Sequence, residues 1–407
     1  MTDPAAVTAA FDRKPQTRCV WLFSPAVDLA AFLGSALLAL GLLAAGAWLG
    51  VLHSHSPEWT WVTAVLLVDV AHVYATGFRV YADRQEFLQR RWLYVLTPVL
   101  AFLIGWAIYT EGDAGRIRFW RILAYMAVFH FVRQQYGWVA LYRARAGETS
   151  TPGRWIDSAA IYLATLYPLV WWHSHLPRNF WWFLEADFAQ APELAAELLE
   201  PVYWLALLLY SGRSLYRGMQ LRAWNPGKDI VVATTAVCWY VGIITFNSDY
   251  AFTVTNVIIH GVPYFVLIYW YRYRTAVTAG QTEVPAGSSG TLSCSSSSPD
   301  GARPGTEPQT ELRIRTGNTA RRIVFFFGTL WLLAFIEELL WDRGVWRERS
   351  WLFGSTWFQD PQQSAKLQSV LVPLLAVPQI THYILDGFIW KRRSNSRFHN
   401  TVEGITT

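Results

Sequence analysis

Ten stretches of this chain are each long and apolar enough to cross a membrane as a helix. They lie near residues 27–50, 60–82, 92–110, 119–142, 155–175, 196–216, 229–247, 250–271, 321–341 and 367–390. A hydrocarbon core about 30 Å thick takes roughly 20 apolar residues at 1.5 Å rise each. No water reaches that core, so backbone N–H and C=O groups must pair inside the segment, as a helix allows. The runs are continuous rather than alternating, which excludes a transmembrane barrel. Composition agrees: 53% of residues are hydrophobic and 15% charged, against about 25% charged in soluble domains. Tryptophan, tyrosine and phenylalanine number 23, 19 and 23, and aromatics of this kind gather at bilayer interfaces. The sequence predicts an all-α fold, a polytopic membrane helical bundle of about ten transmembrane helices.

Basic residues set the expected orientation. With the N-terminus in the cytoplasm and ten crossings, inward segments hold 25 of the 34 Lys and Arg, and outward segments hold eight. That asymmetry places both termini in the cytoplasm. It also accounts for the net charge of +5, so nucleic acid is not an expected partner. The first apolar run begins near Ala26, exceeds a signal-peptide core about twofold and lacks a following A-x-A site, so it is read as a retained span. Cys19, Cys238 and Cys294 are far apart and form no CxxC, which argues against a disulfide framework or a zinc ribbon. Arginine outnumbers lysine thirty to four, a bias of GC-rich bacterial genomes. The expected location is therefore a bacterial inner (plasma) membrane.

The expected organisation is a cytoplasmic tail over 1–25, an eight-span section over 26–276, a linker over 277–318, a two-span section over 319–393 and a tail over 394–407. The linker contains GSSGTLSCSSSSPDGARPGTEP; it has almost no apolar content and is expected to be disordered. Between the fifth and sixth spans, NFWWFLEADF is expected to form a short helix lying in the interface.

Polar groups inside hydrocarbon are costly, usually face the bundle interior, and mark function. Four spans carry a histidine near the middle. The second, LLVDVAHVYATGFRVYAD, holds Asp69 and His72; the fourth, MAVFHFVRQQYGW, holds His130, Arg133, Gln134 and Gln135. The eighth, TNVIIHGVPYF, holds Asn256 and His260; the tenth, PQITHYILDGFIWK, holds Gln379, His382 and Asp386. All four are even-numbered spans, so all run from outside to inside. Their histidines fall about 12, 11, 10 and 15 residues from the outer edge, so their depths agree to within about 8 Å at 1.5 Å per residue. Each has a polar neighbour three or four residues away on the same helix face: Asp69/His72, His130/Gln134, Asn256/His260 and His382/Asp386.

That pattern points to a metal centre. Neutral imidazole binds iron, zinc, copper or nickel, and a ligating histidine commonly gives its other N–H to a carboxylate or carbonyl. His72, His130, His260 and His382 are the expected ligands, with Gln134 and Asn256 as supporting groups. Asp69 and Asp386 either orient the rings, within or across helices, or ligate as in two-histidine, one-carboxylate iron sites. Arg133, one turn inward of His130, could hold a carboxylate or an anionic substrate group. The expected cofactor is non-haem iron, with zinc or haem as alternatives. The expected activity is oxidative, on an apolar small-molecule substrate, lipid or isoprenoid, reaching the site from the bilayer, with an electron-donor partner. Two rival readings use the same residues: a proton-coupled transporter, and a haem- or quinone-binding subunit.

Weaker candidates are the H-S-H triplets His53/His55 and His173/His175 as copper or zinc binders. Glu337 and Glu338 are expected at the interface, and Asp386 could pair with Lys391 or Arg392. Gly77, Gly137 and Gly261 are expected to permit close helix approach, and Pro263, Pro373 and Pro378 to kink their helices. No Walker loop, G-x-S-x-G or Rossmann fingerprint is present.

The segments HFVRQQYGW, THYILDGFIWK and DVAHVYATGFRVYAD resemble those of an uncharacterised family of bacterial multi-span membrane proteins, a resemblance that implies no activity. By chemistry rather than alignment, the chain is also similar to the prokaryotic membrane carotenoid-cleaving dioxygenases, which are all-helical and hold one non-haem iron with intramembrane histidines. That likeness implies His72, His130, His260 and His382 as iron ligands. The eight-histidine HxxxH/HxxHH pattern of membrane desaturases is absent, which counts against a di-iron site of that kind.

Overall fold

The computed structural model describes residues 18–53, 56–185, 187–281, 308–355 and 361–390. Apart from a two-residue parallel pairing of Arg18–Cys19 with Ala223–Trp224, its regular structure is helical. Ten long helices are named here in chain order. They are α1 Pro25–Trp48, α2 Glu58–Val80, α3 Arg91–Tyr109, α4 Asp113–Arg145 and α5 Thr151–Ser174. They continue as α6 Glu193–Leu221, α7 Pro226–Thr245, α8 Asp249–Tyr273, α9 Thr319–Trp346 and α10 Ala365–Ile389. Each expected stretch falls on one of them. Eight are long and apolar enough to cross a membrane; α4 and α5 have the length but not that apolarity.

Local chemistry sets the ends. Ser24 caps α1, its Oγ accepting Val27 N–H at 3.3 Å, with Pro25 in the first turn. Asp28 gathers the chain before it, accepting N–H from Leu22 at 2.6 Å and Phe23 at 3.0 Å. It also accepts the Tyr142 hydroxyl at 2.7 Å, which ties the start of α1 to the end of α4. Ser150, Asn225 and Ser248 cap α5, α7 and α8. Gly112 and Gly147 bracket α4 with φ of 82° and 65°, conformations that cost glycine nothing because it lacks a Cβ.

The histidine-bearing helices form a closed ring: α2 packs on α8, α8 on α4, α4 on α10, and α10 on α2. Nearly every residue from Asp249 to Leu267 is buried. Its neighbour α2 approaches closely at Gly261, where a Cβ would lie 2.5 Å from Val68 Cγ1. Gly77 and Gly137 do not act this way, since a Cβ at either meets nothing within 4 Å. Wide π-helical turns precede two of the histidines, Trp61–Val70 before His72 and Thr253–Val257 before His260; such bulges shift the face that later residues present. In α10 the helix breaks at Ala376 and restarts at Val377 with Pro378 in its first turn, so the expected kink is present. The outer surface is apolar, with Leu96, Leu100, Leu103, Leu205, Leu208 and Leu209 exposed along α3 and α6. Water would penalise such a belt at about 25 cal/mol per Å²; lipid tails would not.

Two expectations about connections change. NFWWFLEADF forms turns and bends, with no helix among its described residues. Asp187 takes the place of helical pairing: its carboxylate accepts N–H from Phe183 at 2.5 Å and Leu184 at 2.8 Å. Burial pushes its carboxyl up to about 6, even with these backbone N–H groups opposing the shift. Phe180 and Phe188 turn inward onto Trp172, so the segment plugs one end of the bundle instead of lying flat. Helix also runs into both ends of the linker expected over 277–318, to Gln281 and from Pro308; residues 282–307 lie outside the described residues.

Candidate metal centre

His72, His130, His260 and His382 meet at the middle of the ring, each 0–2% exposed. Ring centroids lie 4.4 Å apart for His130/His382, 4.7 Å for His72/His260 and 4.9 Å for His72/His382. They lie 5.0 Å apart for His130/His260 and 6.2 Å for His72/His130. The contacts are nitrogen to nitrogen: His260 Nε2 is 3.0 Å from His72 Nε2, and His382 Nε2 is 3.1 Å from His130 Nε2. Ligand nitrogens of His72, His130 and His382 all fall within 4.8 Å of one another.

The Nδ1 atoms of His72 and His382 are held by hydrogen bonds, and that of His130 has a carboxylate nearby. His72 Nδ1 meets the backbone carbonyl of Asp69, and the Asp69 carboxylate is 3.6 Å from the same nitrogen. A carbonyl only accepts, so this nitrogen carries the proton and Nε2 presents its lone pair inward. His382 Nδ1 lies 2.7 Å from Thr76 Oγ1, which is 2.8 Å from the Tyr264 hydroxyl. The Asp386 carboxylate sits 3.6 Å from His130 Nδ1, across helices, and accepts Trp390 N–H at 2.5 Å. Lys391 and Arg392, the partners expected for Asp386, lie outside the described residues. The ring of His260 stacks on Phe131 at 3.6 Å between centroids, and its Nδ1 has no hydrogen-bond partner among the described residues.

Asp69 and Asp386 therefore stand at the cluster. Asn256 is 1% exposed, but its amide bonds Phe252 O at 3.2 Å and Thr255 Oγ1 at 3.0 Å, not His260. Gln134 is buried, with both amide atoms lacking a partner among the described residues. Arg133 is not at the cluster. It is exposed, donates to the Tyr162 hydroxyl and lies 4.9 Å over the Tyr136 ring. At about 100° per residue it falls roughly 140° from the centre of the buried stripe of α4; His130 lies on the near edge of that stripe.

Thr76 and Tyr264 escape sequence reasoning, although Thr76 stands one turn beyond His72 on the same face. Glu337, expected at the interface, is 3% exposed; its Oε1 accepts Trp341 N–H at 3.2 Å, and Gln379 Nε2 lies 3.5 Å away. His173 and His175 turn their Nδ1 atoms to carbonyls of their own helix, Leu169 O at 2.6 Å and Trp171 O at 2.8 Å. The side chain of His53, and His55, lie outside the described residues.

Fold and cluster together define a class: an all-α protein with membrane-length apolar helices around a buried set of imidazoles able to hold a metal ion. No family model, curated protein or solved structure matches the chain.

Proposed function

We propose that this is a ten-pass membrane protein of the bacterial inner membrane, with both termini in the cytoplasm. In this reading His72, His130, His260 and His382 hold one non-haem iron, which serves the oxidation of a lipid or isoprenoid by dioxygen. The observation that carries the metal is the set of ligand nitrogens of His72, His130 and His382, all within 4.8 Å of one another; His260 joins through its Nε2, 3.0 Å from His72 Nε2, and lies outside that mutual set. Tautomer chemistry leaves His72 Nε2 a lone pair, and a cation is the natural occupant of a point where several imidazole lone pairs meet. Asp69, Thr76 and Asp386 then act as orienting groups, fixing the tautomers and ring planes.

Three features favour iron without haem. Nitrogens 3.0 and 3.1 Å apart, each about 2.1 Å from a common ion, subtend roughly 90–95°, nearer a cis octahedral angle than the tetrahedral angle of structural zinc. The rings are too close together for a flat macrocycle to pass between them. The likeness to carotenoid-cleaving dioxygenases adds the isoprenoid. Aromatic rings pack against the ligands (Phe131 on His260, Tyr264 on His382, Tyr383 on His130), which suits an apolar substrate arriving from the bilayer. An electron donor completes the scheme for any step that oxidises iron.

Elemental analysis of the detergent-purified protein tests the reading. Close to one equivalent of iron is expected, lost in His72→Ala and His260→Ala. A wild-type protein without a transition metal overturns it, because the imidazoles then only bond to one another. A metal other than iron overturns the iron and leaves the site.

A further inference from the structure

A second site lies on the opposite face of α2 from the histidines. Between the ends of α2, α8 and α9 the surface opens into a groove of about 900 Å³, within the roughly 300–1,000 Å³ of small-molecule sites. Its floor is apolar and aromatic, with Phe78 from α2 and Phe325 and Leu333 from α9. One end is different. Arg272 at the end of α8 and Arg321 and Arg322 near the start of α9 line it, and no Asp or Glu does. Among the described residues none of the three arginines has a carboxylate partner; Arg322 lies only over the Tyr273 ring, 5.6 Å from its centroid.

The layout has a direction. From Tyr81, the residue just past α2 at the arginine end, back to Tyr74 at the far end is seven residues, or about 10 Å, and α9 from Arg321 to Leu333 covers about 18 Å. An occupant must therefore be amphipathic, with an anionic head at the arginines and a hydrocarbon body along the aromatics. We infer that this groove seats an anionic phospholipid, its phosphate held by Arg272, Arg321 and Arg322 and its acyl chains lying along Phe78, Phe325 and Leu333. Arginine suits the role because its planar fork meets phosphate oxygens two at a time, and basic pockets between membrane helices take anionic headgroups. The site is independent of the metal reading and stands if the histidines hold none.

Native mass spectrometry of the full chain decides it, after exchange into detergent with phosphatidylglycerol or phosphatidylcholine supplied in equal amounts. Phosphatidylglycerol is expected to remain bound and phosphatidylcholine to exchange away. Each basic residue near an anionic lipid is worth roughly fivefold in binding, so Arg272→Gln/Arg321→Gln/Arg322→Gln should lower retention on the order of 100-fold. Gly77→Leu fills the groove and leaves the arginines intact; its Cβ meets nothing within 4 Å, so folding survives and retention should fall as well. Equal retention of the two lipids, no retained lipid in the wild type, or displacement by excess inorganic phosphate overturns the inference. If the triple variant does not survive purification, undiminished retention in Gly77→Leu overturns it alone.

Discussion

Two of the polar assemblies buried among the described residues are built on opposite principles. At one end of α4, α5, α6 and α7 lies a charged network. Lys228 Nζ is 2.9 Å from Glu148 and 3.1 Å from Asp157, Arg213 reaches the same two carboxylates at 3.1 and 2.7 Å, and Arg143 bonds Asp157. Both acids are at most 1% exposed. Each charge has an opposite within the protein, so the network needs nothing else. Amid α2, α4, α8 and α10 the groups are four imidazoles that turn their nitrogens toward each other. Two facing nitrogens share at most one proton, and His260 Nδ1 is left without a partner among the described residues. The first assembly is complete as it stands and holds helices together. On the proposed function the second is completed by a metal ion, and that difference separates scaffold from site.

The strongest way to break the comparison is to open the network. Lys228→Met leaves Glu148 and Asp157 with less compensation in a place water does not reach. Removing one partner of a buried pair costs about 3–5 kcal/mol, so a large drop in melting temperature is expected in detergent. Molecules that remain folded should keep their metal, since the two assemblies share no residue. Loss of metal in the folded fraction would show that the regions are one cooperative unit.

Acid sharpens the same contrast. Burial alone would raise the carboxyl of Glu148, but Lys228, Arg213 and Arg217 hold it down to about 2, from an ordinary 4.5. The folded value lies below the unfolded one, so its stabilisation is fully present above about pH 4.5 and is lost as pH falls toward 2. Thermal melts of Glu148→Gln and wild type should differ most near neutrality and converge across that window. A gap that stays constant down to pH 2 would mean that the Glu148 charge contributes nothing.

Packing around the histidines offers a smaller effect. Gly261 is where α8 touches α2, and Gly261→Ala would set a methyl 2.5 Å from Val68 Cγ1. The helices must part slightly, and overpacking of this kind costs about 1–3 kcal/mol. The His72/His260 contact at 3.0 Å widens with them, so metal content should fall more than stability does. Unchanged metal content would mean that the centre does not depend on this helix spacing.

Much of this was open to reading from sequence, for a physical reason. A histidine among Val, Ile and Phe in a membrane-length run is conspicuous, and equal depth on parallel helices follows from residue counting. Asp69 and Asp386 stand out on the same grounds. Hydroxyls do not: a threonine in a span ordinarily bonds its own helix carbonyl, as Thr97 and Thr255 do here, so Thr76 carries no mark of its contact with His382. Same-helix spacing also misassigns partners. It pairs Asp386 with His382, whereas helix packing brings Asp386 to His130. Helix rotation is the remaining gap, and it decides which of two adjacent residues, Arg133 or Gln134, faces inward. The two tryptophans of NFWWFLEADF suggest an interfacial helix, but the Asp187 turn and the pull of Trp172 on Phe180 and Phe188 are tertiary effects.

Removing the hydroxyl that holds one ring tests how far the centre depends on its supports. Thr76→Val keeps shape and deletes the contact to His382 Nδ1. It also deletes the contact to the Tyr264 hydroxyl; two net hydrogen bonds are worth about 2 kcal/mol of stability, while an orienting group behind a ligand is worth roughly 10–100-fold in metal affinity. Competition with a graded chelator should show weaker retention together with a modest fall in melting temperature. Equal retention would place Thr76 among ordinary packing contacts.

The smallest effect is expected where sequence pattern and structure part most clearly. Arg133 is the arginine near the middle of the fourth expected span, one turn from a proposed ligand, and by position alone it would be a leading candidate for the site. Its guanidinium instead points off the buried face to Tyr162 and Tyr136. Arg133→Gln should therefore leave metal content and chelator competition unchanged, while His130→Gln, three residues away, should empty the centre. Both variants place glutamine at nearby positions on one helix, so a general effect of altering α4 would be seen in both. A loss of metal in Arg133→Gln equal to that in His130→Gln would mean that α4 is rotated from the orientation described. The buried stripe from Trp120 to Trp138 would then need a new centre, and the convergence of His130 on His382 would fall with it.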